Sequence, residues 1–140
     1  MTQETTIDAL AIGAHPDDAE FGAGGTLLRL GALGYTTGIL DMTRGEMGTR
    51  GTPEEREIES RDAARALGLD FRDTLDLGDG YVRDTDETRA KLVSVFRRLR
   101  PRIVFTHYWE EAHPDHIATA QLVRACAYLA GLVKYSPSSS

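Results

Sequence analysis

At 140 residues, with 41% hydrophobic and 27% charged residues, the chain has the composition of an ordinary globular protein and the length of one domain with a real core. A net charge of −6 argues against a nucleic-acid partner, which needs a basic face. The single cysteine, Cys126, excludes an intramolecular disulfide, and it reads as a small core residue in an apolar stretch. No basic-then-apolar leader opens the sequence and no apolar run matches a bilayer, so a cytoplasmic location without a membrane partner is expected.

Residues 7–13 (IDALAIG) are almost uniformly apolar, as in a strand covered on both faces. His15-Pro16-Asp17-Asp18 follows, and residues 19–34 read as a helix carrying Phe21, Leu27, Leu28 and Leu30. Gly22, Gly24 and Gly25 suggest close backbone approach, and Gly34 suits the C′ stop. Residues 35–42 read as a second strand. Residues 43–51 (TRGEMGTRG) form a loop too long and polar for a simple connection, and such loops above a parallel sheet usually carry function. Thr52-Pro53-Glu54-Glu55 is a strong helix start, with a hydroxyl N-cap, proline at N1 and acids near the positive end of the dipole. That helix is expected to run to Leu67 and stop at Gly68, its charges forming a mostly solvated face.

Residues 71–77 make a weaker third strand, followed by a turn at Asp79-Gly80. A helix capped within residues 84–86 reaches Arg100, with Leu92, Val95, Phe96 and Leu99 on one stripe and Pro101 barring its continuation. Residues 103–106 are the fourth strand. A second histidine-rich turn, His113-Pro114-Asp115-His116, opens a last helix over residues 115–132 with Ile117, Ala120, Val123, Ala127 and Ala130 on one face. The tail at residues 136–140 (SPSSS) is low in complexity and expected to be disordered.

Four strand–helix alternations predict an α/β protein, a Rossmann-like three-layer fold with a mainly parallel sheet and right-handed crossovers. Residues 1–135 are expected to form one domain. Four strands are few for such a fold, so the sequence reads as truncated at its C-terminus. In the strand order 3-2-1-4 the first and fourth strands are neighbours, and ligands bind beyond their carboxyl ends. The two histidine-rich turns are therefore expected to meet.

Imidazole and carboxylate suit zinc, and a catalytic zinc keeps three protein ligands and one open position. His15 and Asp18 from the first turn and His116 from the second form such a set. Asp17 then suits a general base, His113 an oxyanion stabiliser or proton donor, and Asp115 the carboxylate that orients His113. Together they describe hydrolysis of an amide or ester. Each motif alone has a plainer explanation: aspartates cap helices, and a lone histidine is often a surface residue. Their recurrence at two equivalent strand ends favours a site, with His107 as a supporting group. A dinucleotide fingerprint fails, because His15 and Asp18 stand where its second and third glycines belong; Asp41 as a ribose ligand is weak without them. Two histidines and a carboxylate also suit a non-haem iron oxygenase, but no cosubstrate signal accompanies them.

The segments AHPDDAEFGAGGTL (residues 14–27) and AHPDH (residues 112–116) resemble the LmbE-like, or PIG-L, zinc-dependent N-acetylglucosamine deacetylases. Residues 43–56 (TRGEMGTRGTPEER) are similar to the branch containing the bacillithiol-biosynthesis enzyme that acts on N-acetylglucosaminyl malate. The resemblance implies removal of the acetyl group from an amino-sugar conjugate, with His15, Asp18 and His116 holding Zn2+ (or Fe2+), Asp17 as base, and His113 paired with Asp115. It also implies that Arg56, and with it Arg50, contacts an anionic substrate, since guanidinium pairs bidentately with carboxylate. Trimers or hexamers are the assemblies it implies. Family members run on past the point where this sequence ends, leaving the pocket open on one side if nothing follows; the alternative expectation is then an inactive metal-binding fragment or remnant domain.

Overall fold

The computed structural model describes residues 5–137. Its elements are β1 (Ala9–Gly13), α1 (Asp18–Ala32), β2 (Thr37–Asp41), α2 (Pro53–Leu67), β3 (Phe71–Thr74), α3 (Asp86–Leu99), β4 (Ile103–Phe105) and α4 (Pro114–Ala130). The four strands form one parallel sheet in the order β3-β2-β1-β4, so the strand that leads to the first histidine turn lies beside the strand that leads to the second. All eight expected elements are present, with boundaries within one to three residues.

The sheet is sandwiched between two helical layers. On one face Leu10, Ile12 and Leu40 pack with Leu92, Val93, Phe96, Leu99, Leu122, Val123 and Cys126 from α3 and α4. On the other, Ala9, Ala11 and Ile39 pack with Ala19 and Leu27 of α1. Burial on both faces explains the unbroken apolar run of β1, all five residues of which are buried. Truncating one of these fully buried leucines, such as Leu92, removes packing worth about 2–5 kcal/mol.

Local chemistry sets the helix ends. Thr52 and Glu55 close a capping box at the start of α2, and Gly68 ends it in the left-handed region at φ 64°. Thr85 and Thr88 do the same for α3. Three expectations are corrected. The buried stripe of α4 runs through Thr119, Leu122, Val123 and Cys126, while Ala127 is exposed, because α4 presents that face to α3. Phe21 of α1 points outward at 98% exposure. Gly22 and Gly25 approach nothing within 4 Å; of the three helix glycines only Gly24 lies close to a neighbour, Leu67.

At the carboxyl end of β2, Asp41 is buried and accepts two hydrogen bonds from Arg72, which also pairs with Glu20. Its carboxylate is thus engaged inside the protein rather than open to a ribose. Burial, opposed by Arg72, raises the Asp41 pKa from 3.8 to about 6. The folded state therefore binds a proton that the unfolded chain releases, and the stability from this group grows as pH falls through about 6 and is lost as pH rises through it. Thermal melting at pH 7 and pH 5 should show a gain on acidification that Asp41→Asn lacks. An identical pH dependence in the two proteins would remove Asp41 from the account.

Among the described residues, no helix is long and apolar enough to cross a membrane. Ser136 and Pro137 carry no regular secondary structure, and the expectation of disorder at residues 138–140 lies outside the described residues.

Candidate metal centre

Gly13 ends β1 and lets the chain fold straight back, since a Cβ there would lie 2.9 Å from the Asp18 Cβ. Asp18 Oδ2 accepts the His15 backbone N–H at 2.9 Å, and the Asp18 N–H donates to the His15 carbonyl at 3.2 Å. Between them Asp17 is forced to φ 85°, a left-handed conformation that costs an ordinary residue roughly 1–2 kcal/mol. Asp17 occupies the N-cap position of α1, yet its carboxylate makes no capping hydrogen bond and is exposed. Capping therefore does not explain this acid.

The second turn begins α4. His113 is the N-cap, and its Nδ1 accepts the Asp115 backbone N–H at 3.1 Å, followed by Pro114 at N1. Occupation of Nδ1 as an acceptor puts the proton of the neutral ring on Nε2, which remains a donor. His15, His107, His113 and His116, all the histidines of the sequence, form one cluster. His116 stacks between His107 at 3.9 Å and His113 at 4.7 Å between ring centroids, and His15 lies 4.7 Å from His113.

Donor atoms of His15, Asp18 and His116 lie within 4.8 Å of one another, and so do those of His15, His113 and Asp115. The first set fits a zinc ion better. Asp18 Oδ2 is 3.2 Å from His15 Nδ1 and 3.2 Å from His116 Nε2. Ligands about 2.0–2.1 Å from a tetrahedral ion stand roughly 3.3 Å apart, so both edges that meet at Asp18 already have that spacing. The far nitrogen of each imidazole is already held by carboxylate: His15 Nε2 by Asp115 at 2.9 Å and Asp79 at 3.0 Å, His116 Nδ1 by Glu111 at 3.0 Å. Such partners aim a ring at a metal and raise its basicity. In the second set, both Asp115 oxygens already accept backbone N–H groups, from Gly80 at 2.8 Å and Val82 at 3.2 Å.

The electrostatics also favour a cation. Hydrogen bonding to Asp18, against burial and with help from Asp115 and Asp79, pushes the His15 imidazole up to about 9. Burial disfavours the Asp18 carboxylate, but bonds from the His15 side chain and backbone hold it below the ordinary range. His107 differs: its Nε2 accepts the Ala14 N–H at 2.9 Å, and burial, then the neighbouring His116, lowers its pKa. It props the first turn rather than offering a lone pair.

The expected site residues are distributed as follows. His15, Asp18, His116, His113 and Asp115 converge, while Asp17 sits on the same turn without a partner among the described residues. The Asp115 carboxylate bonds His15; its link to His113 is through its backbone N–H. Arg56 donates to the Gly45 carbonyl at 2.7 Å and twice to the Arg50 carbonyl, at 2.7 and 3.1 Å, so its guanidinium clamps the loop over residues 43–51. A side chain at Gly48 would collide with that guanidinium. Arg50 is exposed, with no side-chain bond among the described residues. Asp79 and Glu111 were not foreseen. The sequence marks Asp79 only as part of a turn just past β3, at the same carboxyl end of the sheet as both motifs.

The family model for PIG-L, GlcNAc-PI de-N-acetylase, matches residues 10–127. The chain belongs to the PIG-L family. Among solved structures, the conserved protein TT1542 from Thermus thermophilus is 51% identical with a TM-score of 0.90, over 96% of this chain and 63% of that one. The diacetylchitobiose deacetylase of Thermococcus kodakarensis is 35% identical over 92% of this PIG-L chain and 52% of its own length. The 4-oxalmesaconate hydratase of Pseudomonas putida is also related, at 26% identity over 92% of this chain and 55% of its own. The chain thus spans about half to two thirds of the length of these relatives.

Proposed function

We propose that this site hydrolyses the N-acetyl group of an N-acetylglucosamine conjugate, releasing acetate and the free amine. The observation that carries the reading is the meeting of His15 and Asp18 with His116 from a turn about a hundred residues away, beside an Asp17 unpaired among the described residues. Names of relatives such as the diacetylchitobiose deacetylase support the substrate class. Zinc is the metal the donor set suits; when bound it supplies Lewis acidity, polarising the acetyl carbonyl and acidifying water.

The residues of the chain divide the remaining work. Asp17 takes the proton of the attacking water as the C–O bond forms. The Nε2–H of His113 donates to the charge that develops on the acetyl oxygen or the departing nitrogen. The C–N bond then breaks as the nitrogen takes the proton that Asp17 removed from water, so it leaves as the amine and Asp17 is again a carboxylate. Asp115 and Asp79 hold the back of His15, and Glu111 holds the back of His116.

N-acetylglucosaminyl malate is the first conjugate to try. The Arg50 guanidinium, unpartnered among the described residues, suits its carboxylates better than Arg56, which is engaged with loop carbonyls. The test is acetate release by zinc-loaded protein from N-acetylglucosaminyl malate and N,N'-diacetylchitobiose. Release abolished by chelation and restored by zinc is the expected result. A protein that binds zinc yet releases acetate from neither would contradict the reading.

A further inference from the structure

The loop over residues 43–51 and the turn after β3 are tied by reciprocal hydrogen bonds. Glu46 Oε2 accepts the Asp79 N–H at 3.0 Å, and Asp79 Oδ2 accepts the Met47 N–H at 2.8 Å. The other Glu46 oxygen accepts the Arg44 N–H at 2.8 Å. This leaves Asp79 Oδ1 against His15 Nε2 at 3.0 Å. The turn also pins the second acceptor of that nitrogen, because Gly80 donates its N–H to Asp115 Oδ2. Both carboxylates behind His15 are therefore held by one turn; Glu46 bonds its tip, while the Leu77 N–H to the Met42 carbonyl at 2.9 Å and the Arg44–Asp76 pair at 3.5 Å anchor its base. Arg56 fixes the loop on its other side through the Gly45 and Arg50 carbonyls.

We propose that Glu46 and Asp79 form a latch through which the loop over residues 43–51 sets how tightly His15 holds the metal, with Asp79 as the positioning residue. The inference rests on the zinc reading above. An anionic acceptor on Nε2 fixes the rotation of the imidazole and strengthens the opposite nitrogen as a donor. The loop engages both the Asp79 backbone N–H and its second oxygen, so it restrains the orientation that turns Oδ1 to His15. Glu46 thus acts on the metal without touching a metal ligand.

Zinc dissociation constants, measured by competition with a chromophoric chelator on the 140-residue protein, test the latch. Visible spectra of the cobalt-loaded forms report the ligand geometry. Asp79→Ala is expected to weaken zinc binding by about 10–100-fold, and Asp79→Asn, which keeps the acceptor but not the charge, by less. Glu46→Ala is expected to weaken it by roughly 5–10-fold despite its distance, with a shifted cobalt spectrum, and Glu46→Gln by less. Because both act through one contact, the Glu46→Ala/Asp79→Ala double variant should bind no more weakly than Asp79→Ala alone. A purely structural role would lower the melting temperature of Glu46→Ala and Glu46→Gln while leaving both readouts unchanged, and that result overturns the latch. So does strict additivity in the double variant. Failure of the wild-type protein to bind zinc would overturn the metal reading and the latch with it.

Discussion

Asp17→Asn is expected to cut turnover by roughly 10²–10⁴-fold, the usual contribution of a general base, while zinc content stays at the wild-type level. The substitution isolates the chemistry from the fold. Asp17 lies at φ 85°, and asparagine is one of the few residues that tolerates this region, so the turn keeps its shape. The Asp17 carboxylate makes no capping bond that an amide would lose. Asp17→Gly sharpens the argument. Aspartate, like asparagine, adopts this region more readily than other residues, so removing the Cβ relieves at most about 1–2 kcal/mol of backbone strain, against a glycine entropy cost of about 0.5–1 kcal/mol. That variant should therefore melt close to the wild-type temperature and still be inactive. An exposed acid in a left-handed conformation whose carboxylate makes no capping bond is what a functional residue looks like. Wild-type turnover in Asp17→Asn, measured by acetate release, would reject its role as base.

The second large effect is expected from His116→Ala. His116 supplies one of three ligands, and its loss should weaken zinc binding well beyond the ~10–100-fold typical of a supporting residue. His15→Ala should do the same although it lies on the other turn. Once either ligand is gone the other has little left to contribute, so the double variant should be scarcely weaker than each single one. His113→Ala is the control. It removes a ring stacked against His116 but none of the preferred ligands, so zinc should remain while turnover falls. Loss of zinc in His113→Ala with retention in His116→Ala would instead assign the ion to the set formed by His15, His113 and Asp115.

Much of this was legible in the sequence because the governing interactions are local or periodic. An unbroken apolar run has few structural choices besides a strand buried on both faces, and β1 is one. Thr52, Pro53 and Glu55 specify the α2 start through contacts within four residues, and all are made. The meeting of the two histidine turns followed from strand order alone, since β1 pairs directly with β4. What sequence reasoning missed depends on tertiary geometry. Asp79 reaches His15 only because the turn after β3 passes through Asp76 at φ 54°, Gly78 at φ 94° and Gly80 at φ 81°. No periodicity announces such a path. The pairing of Asp115 with His15 rather than His113 has the same origin: the side chain turns toward N–H groups that Gly80 and Val82 present from that loop. Arg56 looked available for an anion because sequence shows its charge but not the Gly45 and Arg50 carbonyls folded around it.

The most direct measurement is anomalous diffraction at the zinc absorption edge from crystals of the zinc-loaded protein. One peak is predicted, about 2.0–2.2 Å from His15 Nδ1, an Asp18 carboxylate oxygen and His116 Nε2 together. No peak there, or an ion bound by residues of one turn alone, would contradict the account.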